Sequence, residues 1–179
     1  MIDDKGWLNN FNFIFENTGV SPFFNKRPKD IKISLIVIHC ISLPEGDFLN
    51  SNVMDLFQNK LDCNKHPSFK SLKDLKVSAH LFIRRNGEII QFVPFDKCAW
   101  HAGESSFNDR DNCNNFSIGI ELEGTVQEEF TDKQYEVLNP VILKLKEEYK
   151  INHVVGHSDI APDRKIDPGP HFDWERLND

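Results

Sequence analysis

The segment Leu35-Ile36-Val37-Ile38-His39 is the clearest indication of the fold of this chain. Its run of apolar residues is typical of a strand that is buried on both faces, as the inner strands of parallel and mixed sheets are. We therefore predict a buried strand over residues 31–41. A polar residue at the end of such a strand is a common position for a functional site, and here that residue is His39.

Two further patterns predict additional strands. Residues 77–85 and 88–94 flank Asn86-Gly87, a pair that favours a type I′ turn and therefore a β-hairpin. Residues 117–123 alternate between apolar side chains on one face and a second face that carries glutamates. Such alternation predicts a strand with one polar face.

One long helix is predicted to begin at Thr131-Asp132-Lys133-Gln134, a sequence that fits a capping box. Apolar residues at helical spacing continue to Tyr149, so that one face of the helix can pack on the sheet. Pro140 is expected to kink the helix, because proline lacks the N–H that the helix interior uses. The remaining predicted elements are a turn at 44–46, short helices at 52–59 and 71–75, and a last strand at 151–157 that ends in His157.

The order of these elements mixes strands and helices without strict βαβ alternation. We therefore predict an α/β fold with a single mixed β-sheet flanked by helices. The length of 179 residues suits one domain, so residues 1–179 are expected to form a single domain. Residues 1–30 are predicted to be an irregular N-terminal arm packed on that domain. The arm is rich in aromatic residues, which are Trp7, Phe11, Phe13, Phe15, Phe23 and Phe24.

The composition argues against several classes of function. The net charge is −7 at pH 7 and the pI is about 5.5, whereas a nucleic-acid binder is more often basic. No apolar run approaches the length of a membrane span, and the first residues do not resemble a secretory signal. The four cysteines lack C-x-x-C spacing and are expected to be reduced thiols. We therefore expect a cytoplasmic protein with no nucleic-acid partner and no membrane partner.

Candidate metal ligands come from three separate parts of the sequence: His39, His157 and Asp167. The last two lie on segment 156–170, which its prolines stiffen. Two histidines, one carboxylate and a water molecule form a recognised zinc site, and the same ligand types also suit non-haem iron. Periodicity does not choose among the histidines of this chain. The competing ones are His80, His101 and His153.

Charged residues near these ligands are candidates for acid–base chemistry. Glu121 and Glu123 share the polar face of their strand, and either could act as a general base, because alternation does not decide between them. Lys165 lies two positions before Asp167, so an extended loop would present both on one side, where an ammonium could stabilise an oxyanion. Taken alone, the sequence of this loop is as typical of an ordinary surface turn as it is of a catalytic loop.

With these residues laid out, the chain resembles the family of zinc-dependent N-acetylmuramoyl-L-alanine amidases. The resemblance runs from about Gly6 to Leu177 and is closest to the cytosolic members that recycle anhydro-muramyl peptides. It implies an amidase fold of the kind that peptidoglycan recognition proteins share. The matching stretches are 37–39, 41–44, 77–80, 83–89, 93–97, 99–103, 116–124 and 156–174.

The resemblance implies a role for each matching residue. It implies Zn²⁺ as the cofactor, with His39, His157 and Asp167 as its ligands. Glu121, rather than Glu123, would be the base, and Lys165 would stabilise the transition state. The substrate would be a soluble anhydro-muramyl peptide, cut at the amide between muramic acid and L-alanine by a monomeric enzyme. The residues expected to line the substrate cleft are Trp100, His101, His80 and Lys76.

Departures from the family pattern affect the expected substrate contacts rather than the zinc set. They are Cys40 in place of asparagine, Lys76 and Asn112 in place of arginine, and an unusual His171. Lysine does not reproduce a bidentate arginine contact. Three rival readings remain: a lytic amidase that acts on intact cell wall, a non-catalytic recognition module, and a zinc peptidase, although the chain has no H-E-x-x-H motif.

Overall fold

The computed structural model describes residues 1–9, 15–16 and 19–177. Its strands are β1 (Phe15–Glu16), β2 (Phe24–Lys26), β3 (Leu35–Ile41), β4 (Leu81–Ile83), β5 (Ile89–Gln91), β6 (Lys97–Ala99), β7 (Ser106–Phe107), β8 (Arg110–Asp111), β9 (Ser117–Glu123) and β10 (His153–Gly156). Its α-helices are α1 (Asn52–Phe57), α2 (Asp132–Tyr149) and α3 (His157–Ile160). Short 3₁₀ helices cover Pro67–Leu72, Cys113–Asn115 and Trp174–Arg176.

The centre of the molecule is a six-stranded sheet with the order β1-β5-β4-β9-β3-β10. Only β4 and β5 pair in antiparallel fashion, and the other neighbours in this sheet are parallel. Two small two-stranded sheets, β2-β6 and β7-β8, accompany it. The predicted mixed sheet flanked by helices is confirmed, and the two small sheets are additional to the single sheet that was predicted.

Strand β3 lies inside the sheet, between β9 and β10, as its apolar run predicts. Its residues Leu35, Ile36, Val37 and Ile38 are all at most 1% exposed. The strand begins four residues later than predicted and ends at the predicted Ile41. Because β9 and β10 run parallel to it, the carboxyl ends of these strands meet at one edge of the sheet.

Helices cover the two faces of this sheet. On one face, α2 buries Leu138, Val141, Ile142 and Leu145 in a cluster with side chains of β3, β4 and β9. On the other face, α1 packs with Phe82, Ile90 and Phe92 in a second cluster. The predicted capping box begins α2: the Thr131 hydroxyl accepts from the Gln134 N–H, and the Gln134 side chain accepts from the Thr131 N–H. The helix continues through Pro140 to Tyr149.

The hairpin between β4 and β5 forms, but its turn is not the predicted type I′. Gly87 has a positive φ of 85°, whereas Asn86 is not among the residues with positive φ. The Gly87 N–H donates to the Arg84 carbonyl, and the Arg84 N–H donates to the Glu88 carbonyl, both at 2.9 Å. This is the pattern of a three-residue loop that ends in a left-handed glycine. The helix predicted at 71–75 was also wrong, because Pro67–Leu72 forms a 3₁₀ helix instead.

The N-terminal arm is more regular than predicted, because it contributes two short strands. Strand β1 pairs with β5 at the edge of the main sheet, and β2 pairs with β6. Leu8 and Phe23 of the arm are buried, whereas Phe11 and Phe13 lie outside the described residues. The Arg27 guanidinium fastens the arm by donating to the carbonyls of Phe95, Asn114, Asn115 and Ser117.

The cysteines form no disulfide, which confirms the expected free thiols. Cys98 and Cys113 are buried, and Cys40 and Cys63 are half-buried. Among the residues that the structure describes, none of the helices combines the length and the apolar character that a bilayer crossing requires.

Candidate metal centre

The candidate site lies where the parallel strands end. His39 of β3 and Glu121 of β9 are register neighbours. Strand β10 pairs with β3 up to Gly156, so the next residue, His157, opens α3 beside them. The strand thus ends one residue earlier than predicted. In open α/β sheets, sites form outside the carboxyl ends of the strands, and the three side chains meet there.

Asp167 joins the site because its loop folds back onto the start of α3. The Ser158 N–H donates to the Asp167 carbonyl at 3.0 Å. Gly156 leaves room for this return, since a Cβ at that position would lie 2.8 Å from the Pro168 Cδ atom. The close approach of the two segments therefore requires glycine at position 156.

Three potential ligand atoms form a compact triangle. His39 Nδ1 lies 2.9 Å from His157 Nδ1 and 3.2 Å from Asp167 Oδ2, and the third side measures 3.1 Å. A tetrahedral zinc ion with bonds of about 2.05 Å would separate its ligands by roughly 3.3 Å. The rings are buried, with His39 1% and His157 3% exposed. The triangle is thus close to the size that a zinc site needs.

The other ring nitrogen of His157 also fits metal binding. His157 Nε2 lies 3.1 Å from the Ala102 carbonyl, to which only an N–H can donate. In the neutral ring, Nδ1 therefore carries the lone pair that faces the triangle. Histidine ligands of metals usually donate their second N–H to a carboxylate, a backbone carbonyl or a water molecule, and here the acceptor is a backbone carbonyl. The Arg164 guanidinium donates to the same carbonyl at 2.8 Å and helps to hold it in place.

The protonation states expected for this site also suit a cation. Burial lowers the pKa of His39 to about 4, although its contact with Asp167 acts in the opposite direction. Burial disfavours the charge on Asp167, but hydrogen bonds that His157 and His39 donate when they are protonated on Nδ1 outweigh it, so in that state the pKa of this carboxyl lies below its ordinary value. At neutral pH the site therefore offers a neutral imidazole and a carboxylate, which are the forms that bind metals.

Glu121 differs from Glu123 in what its carboxylate contacts. Glu121 Oε2 is buried without a hydrogen-bond partner in the described part of the chain. Burial, and then the charge of Asp167, raises the pKa of Glu121 well above its ordinary value. Glu123, in contrast, accepts from the backbone N–H groups of Leu49 and Arg85. The structure thus places Glu121, and not Glu123, beside the triangle with an acceptor to spare.

A cleft of about 240 Å³ leads to this centre. Its polar wall includes Glu121, His157, Lys165 and Asp167, so Lys165 and Asp167 do face the same space. The positive charge of Lys165 is among the causes that lower the pKa of His39 and oppose the raised pKa of Glu121. The apolar wall consists of Ile41, Leu43, Leu56, Phe57, Leu72, Leu75 and Val77.

Two of the four predicted substrate-binding residues lie in this cleft. Trp100 and His101 line it. The Trp100 ring stacks on Phe23 at 5.9 Å, and its indole N–H donates to Asn25 Oδ1 at 2.7 Å. Lys76 is exposed and does not line the cleft, although both its neighbours in sequence do.

The prediction that His80 lines the cleft was wrong. The ring is 0% exposed, and its Nδ1 accepts from the Gly119 N–H at 3.0 Å. Its Nε2 donates to the Lys97 carbonyl at 3.0 Å. The other competing histidine, His153, is exposed against the Phe107 ring, away from the triangle. Neither His80 nor His153 therefore contributes to the triangle or to the cleft.

The buried His80 predicts an acid sensitivity of the metal-free protein. Burial, and then the positive charge of Arg27, lowers the pKa of His80 from 6.5 to about 3. A histidine whose pKa is lowered by folding stabilises the fold fully above its unfolded-state pKa, and this contribution is lost as pH falls. The free energy of unfolding should therefore decrease between pH 6.5 and about 3, by about 1.4 kcal/mol per pH unit from this ring.

Urea unfolding of the metal-free protein at several pH values measures this effect. His80→Asn keeps an oxygen where Nδ1 accepts the Gly119 N–H but removes the titrating group. Its unfolding free energy should depend less steeply on pH than that of the wild type, whereas the exposed-site control His153→Asn should not. Equal slopes in His80→Asn and the wild type would contradict this role of His80.

Several residues around the site were not found by sequence reasoning. They include Ser117, Gly119 and Arg164, which contact the histidines or their acceptors. A usable signal existed for two of them, because Ser117 and Gly119 share the polar face of β9 with Glu121. Small residues on a strand face that also carries a functional side chain leave room for rings from neighbouring segments.

The sequence pattern of a known family matches most of this chain. The pattern described as N-acetylmuramoyl-L-alanine amidase matches residues 29–170. The chain is also 48% identical over 179 residues to the 1,6-anhydro-N-acetylmuramyl-L-alanine amidase AmpD of Escherichia coli strain K12. That similarity covers 99% of this chain and 95% of the relative.

Solved structures show the same similarity in three dimensions. The crystal structure of an AmpD derivative matches with a TM-score of 0.91 and 50% identity, over 99% of this chain and 97% of that chain. The amidase AmiD of E. coli, solved with anhydro-N-acetylmuramic acid-L-Ala-D-gamma-Glu-L-Lys, matches with a TM-score of 0.61 and 32% identity. That match covers 85% of this chain and 59% of AmiD.

Proposed function

Because the chain belongs to the N-acetylmuramoyl-L-alanine amidase family, we propose that it hydrolyses the amide between 1,6-anhydro-N-acetylmuramic acid and L-alanine in soluble muropeptides. This reaction would serve peptidoglycan recycling. One observation supports the proposal above the others: the triangle of His39, His157 and Asp167 lies beside Glu121 Oε2, which has no hydrogen-bond partner among the described residues. The amidase fold expected from the sequence is confirmed by the match to AmpD.

Zinc is the cation that we propose for the triangle. Two imidazole nitrogens and one carboxylate oxygen leave a fourth position open, as catalytic zinc sites do. A zinc ion held there supplies Lewis-acid polarisation of the amide carbonyl and acidifies a water molecule. His39, His157 and Asp167 would hold it.

Glu121 is the proposed general base. Its raised pKa makes the carboxylate a stronger proton acceptor than an exposed glutamate, and its free Oε2 can take a proton from water. The protonated side chain could then pass that proton to the leaving amine of L-alanine.

Lys165 is proposed to stabilise the negative charge that develops on the carbonyl oxygen. Its side chain lines the cleft together with Glu121. Its backbone N–H donates to the Ala161 carbonyl at 2.9 Å, which fixes the loop beside α3. A preorganised ammonium is effective here, because it needs little rearrangement as the charge forms.

Trp100 and the apolar wall of the cleft are proposed to contact the substrate. Tryptophan offers a flat apolar surface with a polar edge, which suits one face of a sugar ring. The net charge of −7 favours a small soluble fragment over a polyanionic wall. We also propose that residues 1–179 act as one monomeric domain in the cytoplasm, where the free cysteines would stay reduced.

Mass spectrometry of the products tests this function. Zinc-loaded protein is given anhydro-muramyl tripeptide or insoluble peptidoglycan, each with and without a chelator. The proposal predicts free tripeptide from the soluble substrate, loss of this activity with chelator and its return with added zinc. Cleavage of the insoluble wall in preference to the tripeptide would indicate a lytic amidase instead. Binding of either substrate without cleavage would indicate a recognition module.

A further inference from the structure

We propose that His101 and Ser117 are positioning residues that hold His39 in the one tautomer able to bind a metal. The two side chains and the Cys113 carbonyl form a hydrogen-bonded chain that ends on His39. The inference rests on the proposed zinc site, because it concerns how one of its ligands is prepared. It gives His101 a role other than the substrate contact that the sequence suggests.

The donor-to-acceptor direction of this hydrogen-bonded chain is fixed, because its last acceptor is a carbonyl. Ser117 Oγ lies 2.6 Å from the Cys113 carbonyl oxygen, which can only accept. The single hydroxyl hydrogen of Ser117 is therefore used there, and Oγ must act as acceptor toward its other neighbour. That neighbour is His101 Nε2 at 3.1 Å, so this nitrogen carries the ring proton.

The direction continues to the metal ligand. With the proton on Nε2, the neutral His101 ring has a lone pair on Nδ1. His101 Nδ1 lies 2.9 Å from His39 Nε2, which must then donate. His39 Nδ1 is left with its lone pair toward the triangle. The reverse order would place the lone pairs of His101 Nε2 and Ser117 Oγ against each other.

Burial increases the free-energy cost of breaking any hydrogen bond in this arrangement. His39 is 1%, His101 8% and Ser117 0% exposed, so bulk water has little access to replace a lost partner. An unpaired buried polar atom is unfavourable by about 1–3 kcal/mol. The chain therefore discriminates between the tautomers of His39 more strongly than an exposed contact would.

The fold makes room for this ring at one position. A Cβ on Gly119 would lie 2.3–2.6 Å from atoms of the His101 ring, so any other residue there would displace it. Asn114 Oδ1 accepts from the backbone N–H groups of both His101 and Ala102, which fixes the backbone that carries the ring. The His39 and His101 rings are nearly perpendicular, at 82°. Position and orientation of the ring are thus set independently of any ligand.

The hydrogen-bonded chain disfavours the other tautomer of His39 in the metal-free site, which is the one protonated on Nδ1. His39 Nδ1 lies 3.2 Å from Asp167 Oδ2, and a proton on Nδ1 would form a charge-assisted hydrogen bond there. A ring in that tautomer has no lone pair for the metal. His101 and Ser117 counteract this preference by requiring the proton of His39 on Nε2.

Two nearly isosteric replacements of His101 separate this role from space filling. Asn Oδ1 occupies the position of His Nδ1 and can accept from His39, whereas leucine has the same shape and cannot. His101→Leu should weaken zinc binding by about 10- to 100-fold in competition with a chelator. His101→Asn should recover most of that affinity. The matched control His153→Leu, at an exposed histidine, should bind zinc as the wild type does.

A second measurement uses no metal and no activity. Nitrogen-15 NMR of the histidine rings in the metal-free full chain should show His39 protonated on Nε2 in the wild type. In Ser117→Ala, which removes the acceptor of His101, the Nδ1-protonated form of His39 should appear. This variant also keeps the proposal testable if His101→Leu does not fold.

The outcomes separate this proposal from the proposed function. Equal zinc loss in His101→Leu and His101→Asn, wild-type affinity in His101→Leu, or an unchanged His39 tautomer in Ser117→Ala would each overturn it. A wild-type protein that binds no zinc or cleaves no muropeptide would contradict the proposed function instead. In that case the NMR measurement would still show whether His101 and Ser117 set the tautomer of His39.

Discussion

Replacing Glu121 with glutamine is expected to lower kcat about 100- to 10,000-fold, the range that a general base contributes. Glutamine has nearly the same shape but cannot accept the proton that water must lose. Because Glu121 supplies none of the three ligand atoms of the triangle, the variant should still bind one equivalent of zinc. The measurements are the rate of tripeptide release from anhydro-muramyl tripeptide and the zinc content of the same samples.

Glu123→Gln is the matched control, because it makes the same change two residues further along β9. Glu123 accepts from the N–H groups of Leu49 and Arg85, so this variant should lose stability. The kcat of its folded fraction should stay close to that of the wild type. A Glu121→Gln protein that turned over as fast as Glu123→Gln would remove Glu121 from the mechanism.

Replacing Asp167 with alanine is expected to act on the metal itself. The change removes the only anionic corner of the triangle and leaves two neutral imidazoles. Zinc affinity should fall roughly a thousandfold, equivalent to about 4 kcal/mol, and turnover at limiting zinc should fall with it. Competition with a chromogenic chelator measures the affinity.

Asp163→Ala is the control for that variant. Asp163 lies on the same loop and is exposed, so its loss should leave zinc affinity unchanged. High zinc concentrations should restore part of the activity of Asp167→Ala if the aspartate acts as a ligand. Full zinc affinity in Asp167→Ala would show that the three atoms do not form the binding site.

The centre of the fold could be predicted because its signals are local. The apolar run of β3 and the alternation of β9 each depend on a few consecutive residues, and both strands formed as expected. Together they place His39 and Glu121 at one sheet edge, since parallel neighbours end on the same side. The capping box at Thr131 is local in the same sense and was also confirmed.

The features that failed depend on contacts between distant segments. His80 turns inward because Gly119, on β9, supplies an N–H donor for its ring. Strand β1 has two residues and is defined only by its pairing with β5. The hairpin loop covers residues 85–87 rather than Asn86-Gly87 alone, and this dipeptide does not reveal the additional loop residue.

The choice of metal ligands lay between these two cases. Patterns placed His39 and His157 at strand ends but could not separate them from His80 or His101. The contact of the second ring nitrogen distinguishes the ligand histidines from His80, and the sequence does not reveal that contact. His157 Nε2 faces a backbone carbonyl and His39 Nε2 faces His101, whereas both nitrogens of His80 are held by backbone groups.

Stepwise zinc loading of the metal-free protein measures whether the triangle holds a catalytic zinc ion. Bound zinc and the release of tripeptide from anhydro-muramyl tripeptide are followed in the same titration. A catalytic zinc held by His39, His157 and Asp167 predicts that both rise together and level off at one zinc per chain. Full turnover by the metal-free protein, or a bound zinc that brings no turnover, would contradict it.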